Sequence, residues 1–152
     1  MRTRSLRNLI YLAAGLGILL SLFAAFEVID AALTSLCSFS GFVSCAAVAN
    51  SGRTTTLGVP DWAWGIAGFV AILIVASLAE RHPSDRRYPI GLVVLTGAGT
   101  ALSFYFAYVE LALIGAVCIV CFSSYVMGWL CFGGSIALAQ RGPDAVADDD
   151  PA

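Results

Sequence analysis

The stretch LIYLAAGLGILLSLFAAF, residues 9–26, decides the fold, because its eighteen residues carry no charged side chain. A helix needs about 20 mainly apolar residues to cross roughly 30 Å of hydrocarbon at 1.5 Å per residue. Three more such stretches follow, at about residues 62–79, 90–114 and 116–138. The sequence therefore predicts an all-α integral membrane protein whose four transmembrane helices form a bundle.

The composition excludes several other classes of protein. The chain has 152 residues, of which 59% are hydrophobic and 12% are charged, about half the charged share of a soluble domain. It has no lysine and a net charge of −2, so we expect no binding to nucleic acid, which depends on neutralising phosphates. Residues 1–140 are predicted to form one membrane domain, and the acidic tail 141–152 is predicted to be disordered and cytoplasmic.

The arginines predict the orientation in the membrane. Seven of the 8 basic residues lie before the first helix, between the second and third, or after the fourth, and Arg53 lies elsewhere. By the positive-inside rule the face that carries the seven is cytoplasmic. We therefore expect a multi-pass protein of the plasma membrane with both termini inside. Residues 27–61, between the first two helices, then form an extracytoplasmic cap.

Four of the 5 cysteines lie on the outer side of this topology. Cys37 and Cys45 form a C-x7-C in the outer segment, and Cys118 and Cys121 form a C-x2-C where the fourth helix begins. A helix N-terminus stabilises a thiolate, which is the species that exchanges disulfides. Cys131 lies roughly 20 Å deeper than Cys118 at 1.5 Å per residue, so we expect it only to pack.

Two interpretations of the outer cysteines remain open from spacing alone. The pairs form either a relay by thiol-disulfide exchange, with one accessible and one sheltered pair, or fixed structural disulfides. A zinc site is disfavoured, because structural zinc sites use two short C-x2–4-C knuckles and C-x7-C is too wide for one. We therefore predict no bound metal.

Four motifs occur in order along the chain, namely CSFSGFVSC at 37–45, the helix entry GVPDWAWG at 58–65, YFAYVE at 105–110 and CIVCFSSY at 118–125. Together they resemble the motifs of the vitamin K epoxide reductase family, and of its small prokaryotic members in particular. The other quinone-linked disulfide-forming membrane family places its C-x2-C before the looped pair, so the order here argues against it. The resemblance implies a four-helix bundle around a quinone such as menaquinone or ubiquinone.

The resemblance also implies roles for the cysteines. Cys118 and Cys121 look like the catalytic disulfide, with Cys121 beside the quinone. Cys37 and Cys45 look like the shuttle pair, in which Cys37 receives electrons from a thioredoxin-like partner and Cys45 passes them to Cys118. About a dozen residues follow the fourth helix, so we expect that partner, a periplasmic or extracellular thiol oxidase, to be a separate protein.

Four further residues are candidates for the site. Ser51, Asp61 and Tyr125 match positions where the family holds the quinone oxygens, although Asp61 replaces the Asn of the animal branch and is equally suited to cap its helix. Tyr125 falls on the same face of the fourth helix as the C-x2-C pair. Glu110 is the one acid inside a predicted span, and such an acid marks a functional site by default.

The sequence thus predicts a membrane thiol oxidoreductase that passes electrons from a thioredoxin-like partner to a quinone and drives disulfide formation outside the cytoplasm. Two alternatives stay open. One is reduction of the quinone or vitamin K epoxide itself. The other is a non-catalytic four-helix membrane protein with structural disulfides, whose thiols would not cycle and which would need no quinone.

Overall fold

The fold is a bundle of four long helices with a small cap at one end. The structure, a computed structural model, describes residues 3–141, so residues 142–152 of the predicted tail lie outside the described residues. The long helices, each long and apolar enough to cross a membrane, are α1 (Thr3–Ile29), α4 (Asp61–Arg81), α5 (Arg87–Tyr108), continued by a π-helix (Val109–Ile114), and α6 (Ile119–Gln140). The predicted fold class is confirmed.

Each long helix packs against two neighbours, α1 and α5 each lying between α4 and α6. The bundle core is a cluster of buried apolar side chains that includes Ile10, Phe69, Leu92 and Cys131. Gly17 of α1 lies against the ring of Phe69, where a Cβ atom would collide with that ring. Small residues therefore let the helices approach closely, as is common in membrane bundles.

The outward faces of the helices are apolar. On α1, for example, Leu12, Leu16 and Leu19 are all exposed, and their spacing places them on one side of the helix. Exposed leucines are unfavourable in water and favourable against lipid tails. The faces therefore suit a bundle surrounded by a bilayer.

The cap consists of residues 30–60 and includes two short helices, α2 (Ala31–Leu36) and α3 (Cys45–Ala49), and two short strands, β1 (Thr55–Thr56) and β2 (Val59–Pro60). Each short helix begins at a residue whose side chain binds a free amide of the first turn. The Asp30 carboxylate accepts from the amide of Ala32 at 2.9 Å, and the Ser44 hydroxyl accepts from the amide of Ala47 at 3.1 Å. Such side-chain caps satisfy amides that a helix leaves unpaired. The cap leads directly into α4, which begins at Asp61.

The cap is joined to the start of α6 through backbone hydrogen bonds. Val43 and Val117 form a parallel bridge, in which the Val117 amide donates to the Phe42 carbonyl at 2.7 Å and the Ser44 amide donates to the Val117 carbonyl at 3.1 Å. The turn before α6 is made by Gly115, whose φ of 73° lies in the left-handed region that glycine tolerates best. These contacts hold the segment before Cys45 beside the segment before Cys118.

Candidate active site

The C-x2-C motif lies at the N-terminus of α6. Cys118 is the N-cap, and its sulfur accepts a hydrogen bond from the amide of Cys121 at 3.3 Å. Both cysteines are free thiols in this structure. A sulfur in this place takes the part of the oxygen that usually caps a helix. The motif therefore positions Cys118 at the junction between the bundle and the cap.

The two cysteines of the motif face different surroundings. Cys118 is buried in the cap cluster, the set of buried residues formed by Cys37, Cys45, Val48, Ala116, Cys118 and Val120. Cys121 packs against that cluster and also lines a cavity between the long helices. The motif thus places one sulfur inside the cap cluster and the other where the cluster meets the cavity.

The second pair is a disulfide in this structure. Cys37 and Cys45 are bonded, with Cα atoms 5.8 Å apart. The pair is more buried than expected for an accessible shuttle: Cys37 is 6% exposed and Cys45 is 1% exposed. Cys37 lies beside the exposed stretch 39–42, so it is the cysteine of the pair nearer to solvent.

The cavity beside Cys121 is mainly apolar. It is formed by all four long helices, and its lining includes Leu20, Trp62, Phe69, Phe106 and Gly128. Polar side chains enter it at a few points, namely Ser21, Asp61, Thr96, Ser103, Cys121, Ser124 and Tyr125. An apolar cavity with a few convergent polar groups is the usual form of a site for a small organic ligand.

Asp61 is the first residue of α4 and lines the cavity; the N-cap is Pro60, and among the described residues no side chain caps this helix. Its Oδ1 atom accepts from the amide of Trp62 at 2.7 Å, and its Oδ2 atom lies 4.0 Å from the sulfur of Cys121. The structure therefore does not support the capping function considered for Asp61, and it places the other carboxyl oxygen beside the Cys121 sulfur. Asp61 is the charged side chain closest to the Cys121 sulfur by the contacts of the described residues.

Glu110 connects the pieces of the site. Its carboxyl accepts from the Tyr125 hydroxyl at 2.7 Å and from the Cys118 amide at 3.0 Å, and only 2% of the residue is exposed. It lies on the π-helix, and its carbonyl accepts from the amides of Gly115 and Ala116. Widened turns of this kind are frequent at functional sites. Glu110 therefore fixes both the tyrosine and the N-cap cysteine.

Ser51 and Cys131 lie away from the cavity and from the C-x2-C motif. Ser51 is in a turn after α3, where its hydroxyl donates to the Val48 carbonyl at 2.7 Å and accepts from the amide of Arg53 at 3.2 Å, and it is not among the described residues that line the cavity. Cys131 is fully buried in the bundle core, with its sulfur 3.8 Å from the carbonyl oxygen of Ile10. The structure therefore brings Tyr125 and Asp61, but not Ser51, to Cys121.

Sequence reasoning missed Glu27. It was assigned to the start of the outer segment, but α1 extends to Ile29 and buries this residue to 4% exposure. Its Oε1 atom lies 2.8 Å from the sulfur of Cys37. The available signal was an acid at the end of an apolar stretch, ten residues before the first cysteine. That spacing does not predict a contact, because Glu27 and Cys37 meet only when α2 folds back against the end of α1.

The site is rich in acids. Glu27, Asp61 and Glu110 all lie within it, whereas the sequence from residue 8 to residue 80 contains a single basic residue, Arg53, which is exposed. A buried acid without a cation nearby is stabilised by hydrogen bonds or by holding its proton. Hydrogen-bond donors and protons are therefore the means by which these carboxyls are accommodated.

The motifs, the fold and the geometry agree with one family. The model of the vitamin K epoxide reductase (VKOR) family matches residues 8–136, which covers most of the chain. The chain belongs to the VKOR family. The match extends from the first turns of α1 nearly to the end of α6, so it includes both cysteine pairs, Asp61, Glu110 and Tyr125. VKOR membership makes the protein a multi-pass membrane protein of an oxidoreductase family.

Proposed function

We propose that this protein passes electrons from a thioredoxin-like dithiol protein to a membrane quinone and thereby drives disulfide formation outside the cytoplasm. The observation that carries the proposal is the division of the C-x2-C motif. Cys118 is buried with Cys37 and Cys45 in the cap cluster, whereas Cys121 packs against that cluster and lines the apolar cavity with Asp61 and Tyr125. A relay between a pair that exchanges with proteins and a lipid-soluble acceptor needs this division.

The residues present fit a quinone. A quinone is a flat, apolar ring with two carbonyl oxygens, and it accepts two electrons and two protons to leave as quinol. The cavity offers apolar and aromatic walls from Phe69 and Trp62, and polar groups from Tyr125, Asp61 and Ser124. We propose that Tyr125 and Asp61 hold the quinone oxygens, Tyr125 by turning its O–H from the Glu110 carboxyl to a quinone carbonyl and Asp61 by donating as a carboxylic acid. Ser51 would reach the ring only if the turn after α3 moved.

The relay runs through two disulfide exchanges. A thiolate of the partner attacks Cys37, which is the more exposed sulfur of the shuttle pair, and Cys45 leaves as a thiolate. Cys45 then attacks Cys118 of the oxidised C-x2-C pair, and Cys121 leaves as the thiolate that faces the cavity. The bridge between Val43 and Val117 supports this step, since it holds the two chain segments side by side.

The membrane orientation is part of the proposal. Arg7 and Arg81 lie at the end of the bundle opposite the cap, where Arg7 pairs with Glu80 at 3.5 Å. The positive-inside rule places that end in the cytoplasm. The cap and both cysteine pairs then face the exterior, where oxidation by respiration maintains disulfides kinetically.

The test is quinone reduction by the purified protein in lipid nanodiscs. A reduced thioredoxin-like protein is the electron donor, and the native chain is compared with Cys121→Ala and with the matched control Cys131→Ala. We expect the native protein and the Cys131 variant to reduce ubiquinone or menaquinone, and the Cys121 variant to lose turnover. A native protein that leaves every quinone oxidised while its four site cysteines stay in disulfides would contradict the proposal.

A further inference from the structure

The carboxyl of Glu27 lies against the sulfur that meets the partner first. Its Oε1 atom is 2.8 Å from the Cys37 sulfur, and both residues are buried, at 4% and 6% exposure. A carboxyl oxygen of Glu27 and the sulfurs of Cys37 and Cys45 all lie within 4.8 Å of one another. The carboxyl is therefore in hydrogen-bond contact with an atom that makes and breaks bonds.

The chemistry of the contact indicates where a proton lies. In this structure Cys37 is in a disulfide, and a disulfide sulfur carries no hydrogen and is only a weak acceptor. If Glu27 were a carboxylate, the lone pairs of its oxygen would face the lone pairs of the sulfur, which is repulsive, and little water would be present to solvate the charge. A carboxylic acid can direct its O–H at the sulfur instead, so the oxidised pair favours a protonated Glu27.

No other charged group among the described residues is in hydrogen-bond contact with Glu27 to stabilise its carboxylate. The titratable and charged side chains on the elements packed around this end of α1 are Asp30, Cys37, Cys45, Arg53, Asp61, Glu110, Cys118, Cys121 and Tyr125. Among the contacts of the described residues, Cys37 is the one of these within hydrogen-bond distance of Glu27. The proton of Glu27 is thus exchanged chiefly with Cys37.

We propose that Glu27 is the general acid and base of the shuttle pair, a role that rests on the proposed electron relay. The second thiolate of the partner attacks the partner sulfur that is bonded to Cys37. The partner disulfide forms, the bond to Cys37 breaks, and the leaving Cys37 thiolate takes the proton of Glu27. The products are the Cys37 thiol and a Glu27 carboxylate, held by an S–H···O hydrogen bond.

The proton returns in the next half of the cycle. When Cys37 attacks Cys45 in its mixed disulfide with Cys118, Glu27 removes the thiol proton, the Cys37–Cys45 bond forms again and Cys118 leaves as a thiolate. Glu27 ends as it began, so it consumes no proton overall. The two electrons come from the partner dithiol and end on Cys118 and Cys121. The two protons of the partner dithiol pass to water.

The experiment isolates the shuttle pair in the full-length chain. Cys118, Cys121 and Cys131 are replaced by alanine, and the protein in nanodiscs is mixed with dithiothreitol. Thiol release from Cys37 and Cys45 is followed by rapid alkylation over the pH range in which the protein stays folded. Glu27→Gln is compared with Glu27→Asp and with Glu80→Gln, a matched acid at the other end of the bundle.

General acid–base catalysis contributes about 10²–10⁴-fold to a rate, so we expect Glu27→Gln to slow the release of the Cys37 thiol from its mixed disulfide with dithiothreitol about 100-fold, while the preceding release of Cys45 keeps its rate. For this step the ratio of the native rate to the Glu27→Gln rate should change with pH, Glu27→Asp should restore part of the rate, and Glu80→Gln should leave it unchanged. An equal rate in Glu27→Gln, or a slower rate with the same ratio at every pH, would overturn the proposal, because only the ratio reports a proton.

The test separates this inference from the proposed function. Exchange with dithiothreitol requires neither quinone nor partner, so a slow, pH-altered Glu27→Gln variant supports the role of Glu27 even if the intact protein reduces no quinone. Infrared difference spectra of the oxidised and reduced pair give a second readout. We expect a carboxylic acid band that disappears on reduction and is absent from Glu27→Gln; its absence from the native protein would overturn the proposal.

Discussion

The hydrogen bond between Tyr125 and Glu110 should stabilise the site measurably. It joins α6 to the π-helix at 2.7 Å, in partly buried surroundings. A hydrogen bond to a charged group contributes about 1.5–3 kcal/mol, whereas polar pairs in membrane helices average about 0.6 kcal/mol with a maximum near 1.7. The short distance and the carboxyl acceptor place this pair near the top of the membrane range, so we expect about 1.5 kcal/mol.

A double-mutant cycle measures that value. Tyr125→Phe, Glu110→Ala and the double variant are unfolded by titration from lipid micelles with a denaturing detergent, and the free energy of unfolding is compared. A coupling of about 1.5 kcal/mol corresponds to roughly a tenfold change in the unfolding equilibrium. Cycles of this kind isolate a pairwise interaction, since independent sites add within about 0.3–0.5 kcal/mol.

The same cycle tests whether the bond positions the tyrosine. If it does, Tyr125→Phe raises the KM for quinone and Glu110→Ala raises it in the same direction, because in both variants the aromatic ring at position 125 has lost the hydrogen bond that holds it beside the cavity. A coupling below about 0.5 kcal/mol, together with an unchanged quinone KM in Glu110→Ala, would refute the reasoning that Glu110 organises the site.

Three further variants test the packing and the turn. Gly17→Ala should destabilise the protein by about 1–3 kcal/mol in a thermal unfolding measurement, because its Cβ collides with the ring of Phe69. Gly15→Ala meets no atom within 4 Å and should leave the midpoint unchanged or raised; equal losses in the two variants would contradict this account. Ser51→Ala should leave the quinone KM unchanged, because the Ser51 hydroxyl is engaged by the Val48 carbonyl; a raised KM would show that the turn reaches the cavity.

The helices could be predicted from the sequence because the membrane imposes them. Backbone groups in hydrocarbon must be satisfied within the segment, so an apolar stretch of sufficient length specifies a helix almost alone. The same regularity places Cys121 and Tyr125 on one face of the last helix, and in the structure both line the cavity. It also places Cys118 on that face, but in the structure Cys118 is the N-cap, outside the helical repeat, and it packs in the cap cluster.

The acids of the site could not be assigned partners from the sequence. Glu110 was noticed because charge is rare in a membrane span, but its contacts with Cys118 and Tyr125 depend on the π-helix and on the turn at Gly115. Glu27 was missed because α1 continues past its apolar stretch as far as Ile29. In both cases the partner is brought near by tertiary packing, about which local spacing carries no information.

The step between the two cysteine pairs is the centre of the account, and trapping it is the most direct test. In a chain carrying Cys37→Ala and Cys121→Ala, the remaining relay cysteines are Cys45 and Cys118, and Cys131 serves as an internal control. Mild oxidation in nanodiscs, followed by peptide mass spectrometry, should yield a disulfide between Cys45 and Cys118, with Cys131 left as a thiol. Cys45 and Cys118 that remain thiols, or that pair only between molecules, would contradict the relay.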